Sequence, residues 1–305
     1  MKNTKEKKQS KVKDLIDELH NGVEKFYNGD EWEKYLTFTS KFINRSPNNQ
    51  LLIWFYGGED TSMVMGYKQF ISKLNRIVVA CVKCRAIKNV DCTCDKIAPP
   101  VRIPQLAPAT FTKTEKNKVT GEDEENEYLY FRVVYVFKYT DTEQIEGKKF
   151  ISDVQSVVKP LTIEYEDYDK MHRKLVKIIK DNKFNFRFDS WNDTNLNGWC
   201  DFTNKEIVVR SDMAQSQIMK TTIHEIAHMF AHDREKVGNA RKPRPLAETE
   251  AESVAFVVGN MIGLDTSQYS IGYVAGWSNN EEFILQKSIN TVTATARKIV
   301  QLLGV

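Results

Sequence analysis

The chain has 305 residues, of which 41% are hydrophobic and 28% charged, and its formal net charge is +3 at pH 7. This length predicts about two domains, and the apolar and aromatic content excludes a wholly disordered or collagen-like protein. The charge is too small to indicate nucleic-acid binding by itself. No apolar window is long enough to cross a bilayer, and no apolar core follows the lysine-rich N-terminus, so we expect neither a membrane span nor a signal peptide. The five cysteines, an odd number, favour a reducing compartment, and we therefore expect a cytoplasmic protein.

The first half of the sequence, residues 1–145, predicts an α+β domain. Apolar residues recur first at helical spacing, and β-branched and aromatic runs typical of strands follow. In chain order, the predicted elements are a basic, frayed arm over 1–11, helical segments over 12–42 and from Ser46-Pro47 to Gly57-Gly58, a strand over 76–80, a charged loop or hairpin tip over 112–127 and a strand over 128–139.

A second domain is predicted over residues 165–305, after a polar, irregular linker at 146–164. It is mostly helical with a small sheet, so the fold class expected for the whole chain is α+β. Its predicted elements are a helix over 165–180, strands over 184–188 and 206–210, and helices over 215–231, 247–262 and 281–303.

The most informative motif is His-Glu-Ile-Ala-His at positions 224–228, on a segment with helical periodicity. The i, i+4 spacing places His224 and His228 on one face, one turn apart, where both imidazoles can bind the same tetrahedral Zn²⁺. Glu225 then lies beside the metal and can accept a proton from the water that the metal activates. The alternative is a pair of partly exposed helix histidines without a ligand.

A catalytic zinc needs a third protein ligand, and an acidic helical segment follows His228. Glu248 and Glu252 are four residues apart and share a helix face. One of them can bind the metal while the other accepts the free N–H of a ligand histidine. The alternative is a solvated helix N-terminus, which favours acidic residues through the helix dipole.

Two further features flank this motif. His232 continues the four-residue spacing but lies about two turns from His224, too far to share its metal, so we interpret it as a partner of a ligand or a helix cap. The strand Ile207-Val208-Val209 precedes the histidine helix, at the place where many zinc peptidases have an edge strand; by that similarity we expect it to pair with an extended peptide substrate.

The histidine motif, Ala-Glu-Thr-Glu-Ala-Glu-Ser-Val-Ala at 247–255 and Tyr-Ser-Ile-Gly-Tyr-Val-Ala-Gly-Trp at 269–277 together resemble the C-terminal metallopeptidase domain of ArdC-type antirestriction proteins. The acidic spacing also resembles thermolysin-like and ImmA/IrrE-like peptidases. The resemblance implies a gluzincin-like site in which Glu248 is the third ligand and Glu252 supports a ligand histidine. It also implies that Tyr269 or Tyr273, of which Tyr273 is the catalytic candidate, donates a hydroxyl to the site, although either tyrosine can instead belong to the core.

The N-terminal half resembles the single-stranded-DNA-binding domain of the same family. The resemblance rests on Ser46 to Ile53, Met65 to Phe70, Leu74 to Val78 and Val136 to Thr142. The sequence departs from the family at Phe70, where tryptophan is usual, and in a cysteine-bearing insert that replaces a Gly/Lys-rich turn. Single-strand binding requires cations that follow the phosphates and aromatic faces that stack on bases. The candidate DNA-binding residues are Asn49, Tyr67, Lys68, Phe70, Lys73 and Arg76, with Lys83, Arg85 and Lys88 continuing the basic run; the alternative is a solvated basic face over an aromatic core.

The insert contains Cys81, Cys84, Cys92 and Cys94 within 14 residues. Four thiolates at such spacing can bind a structural zinc at a hairpin tip. Free thiols and redox chemistry are the alternatives, and Cys200 is expected to be a packed thiol.

The function that the resemblance implies is a zinc metallopeptidase of a mobile element that binds single-stranded DNA and protects incoming DNA from restriction. Its partners would be single-stranded DNA and an unknown protein substrate, and its cofactor one catalytic Zn²⁺ with a possible second, structural one; Mn²⁺ or Co²⁺ can replace the catalytic zinc. One alternative is a non-catalytic single-strand-binding protein with a structural zinc, and another is a regulatory protease that cleaves a repressor. Glu225 discriminates against a purely structural zinc, which has no use for a general base.

Overall fold

The structure, a computed structural model, describes residues 2–23, 26, 29–116, 122–151, 165–192, 196–233, 242–264 and 282–305. The fold is α+β, as the sequence predicts. The chain forms two compact units, the first from Met1–Gly22 and Asn48–Val154 and the second from Val23–Pro47 and Gln155–Val305. Residues 23–47, which the predicted domain boundary placed in the N-terminal domain, thus cluster with the C-terminal part of the chain. No helix among the described residues is both long and apolar enough to cross a membrane.

The first unit combines three helices with two small antiparallel sheets. One sheet has the order β1-β4-β3, and the other pairs β2 with β5. Its elements are α1 (Lys2–Gly22), α3 (Pro47–Gly57), β1 (Val64–Met65), α4 (Tyr67–Leu74), β2 (Arg76–Val78), β3 (Ile103–Lys116), β4 (Asp123–Lys138) and β5 (Thr142–Gln144), while α2 (Gly29–Lys41) belongs to the second unit. The basic segment that we expected to fray is helical from Lys2 onward.

The long hairpin β3–β4 is the largest difference from the sequence prediction in this unit. Residues 112–116 and 123–127, expected in a charged loop or hairpin tip, continue the ladder from Thr112↔Glu127 to Lys116↔Asp123. β3 itself escaped prediction because Pro104 and Pro108 interrupt it, and proline usually excludes a segment from a sheet interior. It is tolerated here because β3 is the edge strand of its sheet.

The second unit packs helices around a three-stranded sheet of order β6-β8-β7, in which β8 is central, parallel to β6 and antiparallel to β7. In addition to α2, its elements are α5 (Tyr165–Asp181), β6 (Asn185–Asp189), β7 (Gly198–Asp201), β8 (Glu206–Arg210), α6 (Gln215–Ala231), α7 (Arg244–Ile262) and α8 (Glu282–Leu303). The two predicted strands and the predicted helices of this half agree with these bounds to within three residues, but β7 was not predicted.

The core of the second unit explains why residues 23–47 belong to it. Trp32 of α2 is 1% exposed and its indole Nε1 donates a hydrogen bond of 3.0 Å to Ser253 Oγ of α7. Arg297 of α8 donates from its guanidinium to the carbonyl oxygens of Ile43 and Arg45. α7 thus contacts α2 as well as α6 and α8.

Candidate metal centre and active site

Helix α6 presents the two motif histidines to one point in space. Ile223 just before them and Ile226 and Ala227 between them are buried, which fixes the rotation of the helix and directs the histidines towards a cleft. His224 Nε2 and His228 Nε2 lie 3.1 Å apart. The spacing in the sequence predicted this shared face.

Helix α7 supplies a carboxylate to the same point. Glu248 Oε2 lies 3.3 Å from His224 Nε2 and 3.5 Å from His228 Nε2. Ligands at the usual zinc–nitrogen and zinc–oxygen distances, in tetrahedral geometry, lie roughly 3.3 Å from one another. The three donor atoms thus have the mutual spacing of a metal's ligands, and a fourth direction remains for water or substrate.

The outer nitrogen of His224 is held by a carboxylate. Its Nδ1 lies 3.2 Å from Glu252 Oε2, and Glu252 Oε1 forms an ion pair of 2.5 Å with Lys220 Nζ. An ionised Glu252 requires a proton on Nδ1, so the Nε2 lone pair of His224 points towards His228 and Glu248.

The outer nitrogen of His228 leads into a buried relay through His232, for which the sequence indicated a ligand's partner or a helix cap, to Glu250, for which it indicated no such role. His228 Nδ1 lies 2.9 Å from His232 Nδ1, and His232 Nε2 lies 2.9 Å from Glu250 Oε2. Glu250 is 1% exposed and also accepts hydrogen bonds from Lys242 Nζ and Ser288 Oγ. Because Glu250 can only accept, His232 carries its proton on Nε2 and accepts at Nδ1 from His228. The lone pair of His228 Nε2 is therefore also directed at the cleft.

Two lone pairs and a carboxylate oxygen within 3.5 Å repel one another unless a cation lies between them. Without a metal, a proton shared among these groups has to supply the positive charge. Burial disfavours a charged His224, but hydrogen bonds with Glu248 and Glu252 outweigh burial and raise the pKa of His224 to about 10. Hydrogen bonds with His224 and His228 lower the pKa of Glu248 well below its usual range. The donor set is thus arranged for a positive charge.

Glu225 lies beside this point and is 5% exposed. Burial raises the pKa of Glu225, while the neighbouring His224 and His228 act in the opposite direction. Gly198 of β7 packs closely here, since a Cβ at Gly198 would lie 2.8 Å from Val208 O and 3.4 Å from Glu225 Oε1. The glycine allows β7 to approach α6, and this contact was not predicted.

The site opens into a cavity of about 730 Å³. One wall is β7 with the residues just before it, and the opposite walls are α6 and α7. Lining side chains include Trp199, Phe202, Thr221 and Arg244, together with His224, Glu225, His228, Glu248 and Glu252.

The expected edge strand is not the one that the sequence indicated. The strand containing Ile207, Val208 and Val209 is β8, which is bonded on one side to β6 and on the other to β7. It has no open edge for a peptide, and that prediction is wrong. β7 is the edge strand that borders the cavity. The predicted catalytic Tyr273, like Tyr269, lies outside the described residues.

The six predicted DNA-binding residues do not form one surface. Phe70 is completely buried with Met63, Leu74 and Val78, so it offers no face to a base, and its predicted stacking role is wrong. Asn49 uses both ends of its amide on the backbone of Leu106, accepting from its N–H at 2.7 Å and donating to its carbonyl at 3.0 Å. The amide therefore holds α3 against β3.

Arg76 is also committed within the first unit. Its guanidinium donates to Thr142 Oγ1 and to the Thr142 carbonyl, and lies 4.4 Å from the centre of the Tyr139 ring. In contrast, Tyr67, Lys68 and Lys73 of α4 are exposed. Of the six, these three have side chains that face solvent; Lys83 and Lys88 of the basic run are exposed as well.

The four cysteines of the insert converge at a second place, in the first unit. One ligand atom from each of Cys81, Cys84, Cys92 and Cys94 lies within 4.8 Å of the other three. Cys200, which borders the cavity of the second unit, belongs to neither group.

The chain is similar in sequence or in fold to known proteins. No protein-family model matches the sequence. An uncharacterized protein of Bacillus anthracis, pXO2-81, is 22% identical over 338 aligned positions, which cover 97% of this chain and 52% of the relative. The chain thus spans about half the length of this curated relative.

Two similar solved structures are crystal structures of the antirestriction protein ArdC from plasmid R388. The metal-free structure has a TM-score of 0.47 and 16% identity, and covers 85% of each chain. The Mn(II)-bound structure has a TM-score of 0.46 and 14% identity, and covers 85% of this chain and 83% of the other. At such low identity, function has to be inferred from the residues of the site itself.

Proposed function

We propose that this protein is a metal-dependent peptidase, with His224, His228 and Glu248 as the metal ligands and Glu225 as the general base. The observation that carries the proposal is the convergence of three donor atoms at 3.1–3.5 Å beside a buried carboxylate. A structural metal site needs no such carboxylate and no cavity of about 730 Å³ beside it.

A divalent metal held by His224, His228 and Glu248 would act as a Lewis acid that activates water and polarises the peptide carbonyl. The protein's own residues then move the proton. Glu225 accepts it from the attacking water and delivers it to the leaving amine, and burial suits the carboxylate to this role because it raises the pKa of Glu225. Glu252 and His232 keep the ligand histidines in the tautomers that metal binding requires.

The substrate that suits this cavity is an extended polypeptide. β7 is an edge strand, and its backbone can pair with a substrate strand by β-augmentation. Trp199 and Phe202 offer apolar contacts, and Arg244 offers a positive charge at the cavity wall. Recognition would thus combine backbone hydrogen bonds with a few side-chain contacts.

The first unit is proposed to bind single-stranded DNA through α4. Tyr67 is 45% exposed, and Lys68 and Lys73 are exposed on the same short helix. The sequence resemblance to ArdC-type proteins supports a role in protecting incoming DNA from restriction. We therefore propose an antirestriction protein of a mobile element that unites single-strand binding with proteolysis.

The decisive experiment separates the two activities. Purified protein, loaded with Zn²⁺ or Mn²⁺, is incubated with a proteome-derived peptide library, and new termini are identified by mass spectrometry for wild type and Glu225→Gln. In parallel, entry of unmodified plasmid DNA into a restricting host is measured for both. Cleavage by wild type alone supports the peptidase. Equal DNA protection by both proteins, without cleavage by either, would favour a non-catalytic single-strand-binding protein with a structural metal.

A further inference from the structure

A second metal site is indicated in the first unit, between β2 and β3. Cys81 Sγ lies 3.9 Å from Cys94 Sγ, and Cys84 Sγ lies 3.5 Å from Cys92 Sγ. All four sulfurs lie within 4.8 Å of one another. Zinc–sulfur bonds of about 2.3 Å in tetrahedral geometry place the sulfurs roughly 3.8 Å apart. A disulfide would join sulfurs in pairs, whereas here all four surround a common centre.

The segment that carries these cysteines has almost no hydrophobic core. Of residues 80–102, Cys81 alone is buried, and Val90 is 87% exposed. Its regular structure is one short 3-10 turn, Asn89–Asp91. Burial of so little apolar surface cannot offset the conformational entropy of ordering such a segment. A cross-link among the cysteines would supply the order that apolar burial does not, and in a reducing compartment a metal provides it.

A backbone donor lies at one of the sulfurs, as a thiolate requires. The Ala98 N–H donates to Cys81 Sγ at 3.4 Å. Four adjacent thiolates repel one another, so a bound cation is needed for all four to ionise.

The charge of the segment complements such a centre. A zinc ion with four thiolates carries a net charge of −2. Between residues 81 and 98 the sequence has four basic residues, Lys83, Arg85, Lys88 and Lys96, and two acidic ones, Asp91 and Asp95.

Arg85 connects the cysteine segment to the sheet. Its φ of 65° lies in the left-handed region, which turns the chain sharply after Cys84. The guanidinium donates to Glu143 Oε1 at 2.6 Å and to the carbonyl oxygens of Thr140 and Thr142. These hydrogen bonds therefore fix the turn to β5, and the Arg85 side chain has a structural role within this unit.

We propose that Cys81, Cys84, Cys92 and Cys94 bind one structural Zn²⁺ as a tetrathiolate, which folds residues 80–98 and fixes them to β5 through Arg85. The sequence left zinc, free thiols and redox chemistry open, and the common centre of the four sulfurs selects the first. The site is independent of the proposed catalytic metal, because the two sets of ligands belong to different units.

Metal analysis of the full chain distinguishes the two sites. Protein expressed with added zinc is analysed as wild type, Cys84→Ser with Cys92→Ser, His224→Ala with His228→Ala, and Cys200→Ser as the matched cysteine control. We expect the double cysteine variant to lose one zinc per chain relative to wild type and Cys200→Ser to lose none. The histidine variant should keep the cysteine-bound zinc whether or not it loses another, so failure of the peptidase proposal would not affect this result.

Cobalt spectroscopy keeps the test valid if the double cysteine variant does not fold. The histidine variant, reconstituted with Co²⁺, should show thiolate-to-cobalt charge-transfer absorption and the visible bands of tetrahedral cobalt. Absence of these bands would overturn the proposal, as would an unchanged zinc content in the folded cysteine variant. A wild-type mass lowered by disulfide formation in freshly purified, unreduced protein would overturn it in favour of redox chemistry.

Discussion

His232 Nε2 lies 2.9 Å from Glu250 Oε2, and the two side chains are 7% and 1% exposed. Neither residue reaches the proposed metal, yet together they determine which nitrogen of His228 is free to bind it. Lys242 and Ser288 hold Glu250 in place from two other segments of the second unit. The affinity of His228 for the metal thus depends on a buried network that extends from α6 through α7 to α8.

Removal of the relay should weaken metal binding without removing a ligand. His232→Ala leaves the Nδ1–H of His228 without its acceptor, and loss of such a partner typically costs ~10 to 100-fold in metal affinity. His232→Asn keeps an acceptor oxygen and should retain more affinity than His232→Ala. Competition with a chromophoric chelator measures the dissociation constants, with Asp212→Asn as an exposed control on the same unit. Equal affinities for His232→Ala and wild type would refute the relay.

The two carboxylates of α7 that contact His224, Glu248 and Glu252, should differ in a graded way. Glu248→Gln removes a charged ligand and should cause the largest loss of metal, whereas Glu252→Gln should cost ~10 to 100-fold because it only supports His224. Metal content after dialysis and chelator competition rank the variants. If Glu252→Gln were the more damaging change, Glu252 would be the ligand and Glu248 the support.

Glu225→Gln should keep the metal and the fold but lose peptide hydrolysis. The amide has a similar shape but cannot accept a proton from water, and general acid–base catalysis contributes ~10² to 10⁴-fold to rate. Cleavage of a peptide found in the library screen is compared between this variant and wild type at equal metal loading. Retained cleavage would assign the base to another residue, and binding to single-stranded DNA should be unchanged.

The sequence predicted the histidine helix because its motif and its apolar period agree, and both depend on residues a few positions apart. It could not predict that Glu250 is buried, since Glu248, Glu250 and Glu252 form one acidic pattern that suits a solvated helix equally well. The distinction depends on Lys242, just before α7, and on Ser288 of α8, both of which hydrogen-bond to Glu250.

Other differences have similar causes. Two prolines concealed β3, and β7 is only Gly198–Asp201, too short to show a period of two. Phe70 lies between Lys68 and Lys73 in the sequence, but together with Leu74, four residues later, it forms the buried face of α4, while Lys68 and Lys73 face solvent.

Gly198 should be intolerant of a side chain. A Cβ there would lie 2.8 Å from both Thr221 Cγ2 and Val208 O, so Gly198→Ala has to separate β7 from α6. Overpacking of this kind typically costs ~1–3 kcal/mol. Denaturant unfolding measures the change, and peptide cleavage should fall because Glu225 lies at the same contact. Gly29→Ala is the matched control, since a Cβ at Gly29 meets nothing within 4 Å. Similar stability of the two variants would contradict the close packing.

Binding of single-stranded DNA should depend on Tyr67, Lys68 and Lys73 and should weaken steeply with salt. Lysine contacts with phosphates release counterions, so Lys68→Ala and Lys73→Ala should each reduce the slope of log affinity against log salt by ~0.7. Tyr67→Ala should cost ~1–3 kcal/mol through lost stacking and leave that slope unchanged. Phe70→Ala should instead destabilise the fold by ~3–5 kcal/mol, because Phe70 is fully buried. Fluorescence anisotropy with a labelled oligonucleotide measures each effect, with exposed Lys177→Ala of the second unit as the charge-matched control. Binding that does not change with salt, or a stronger preference for duplex, would exclude α4 as the single-strand site.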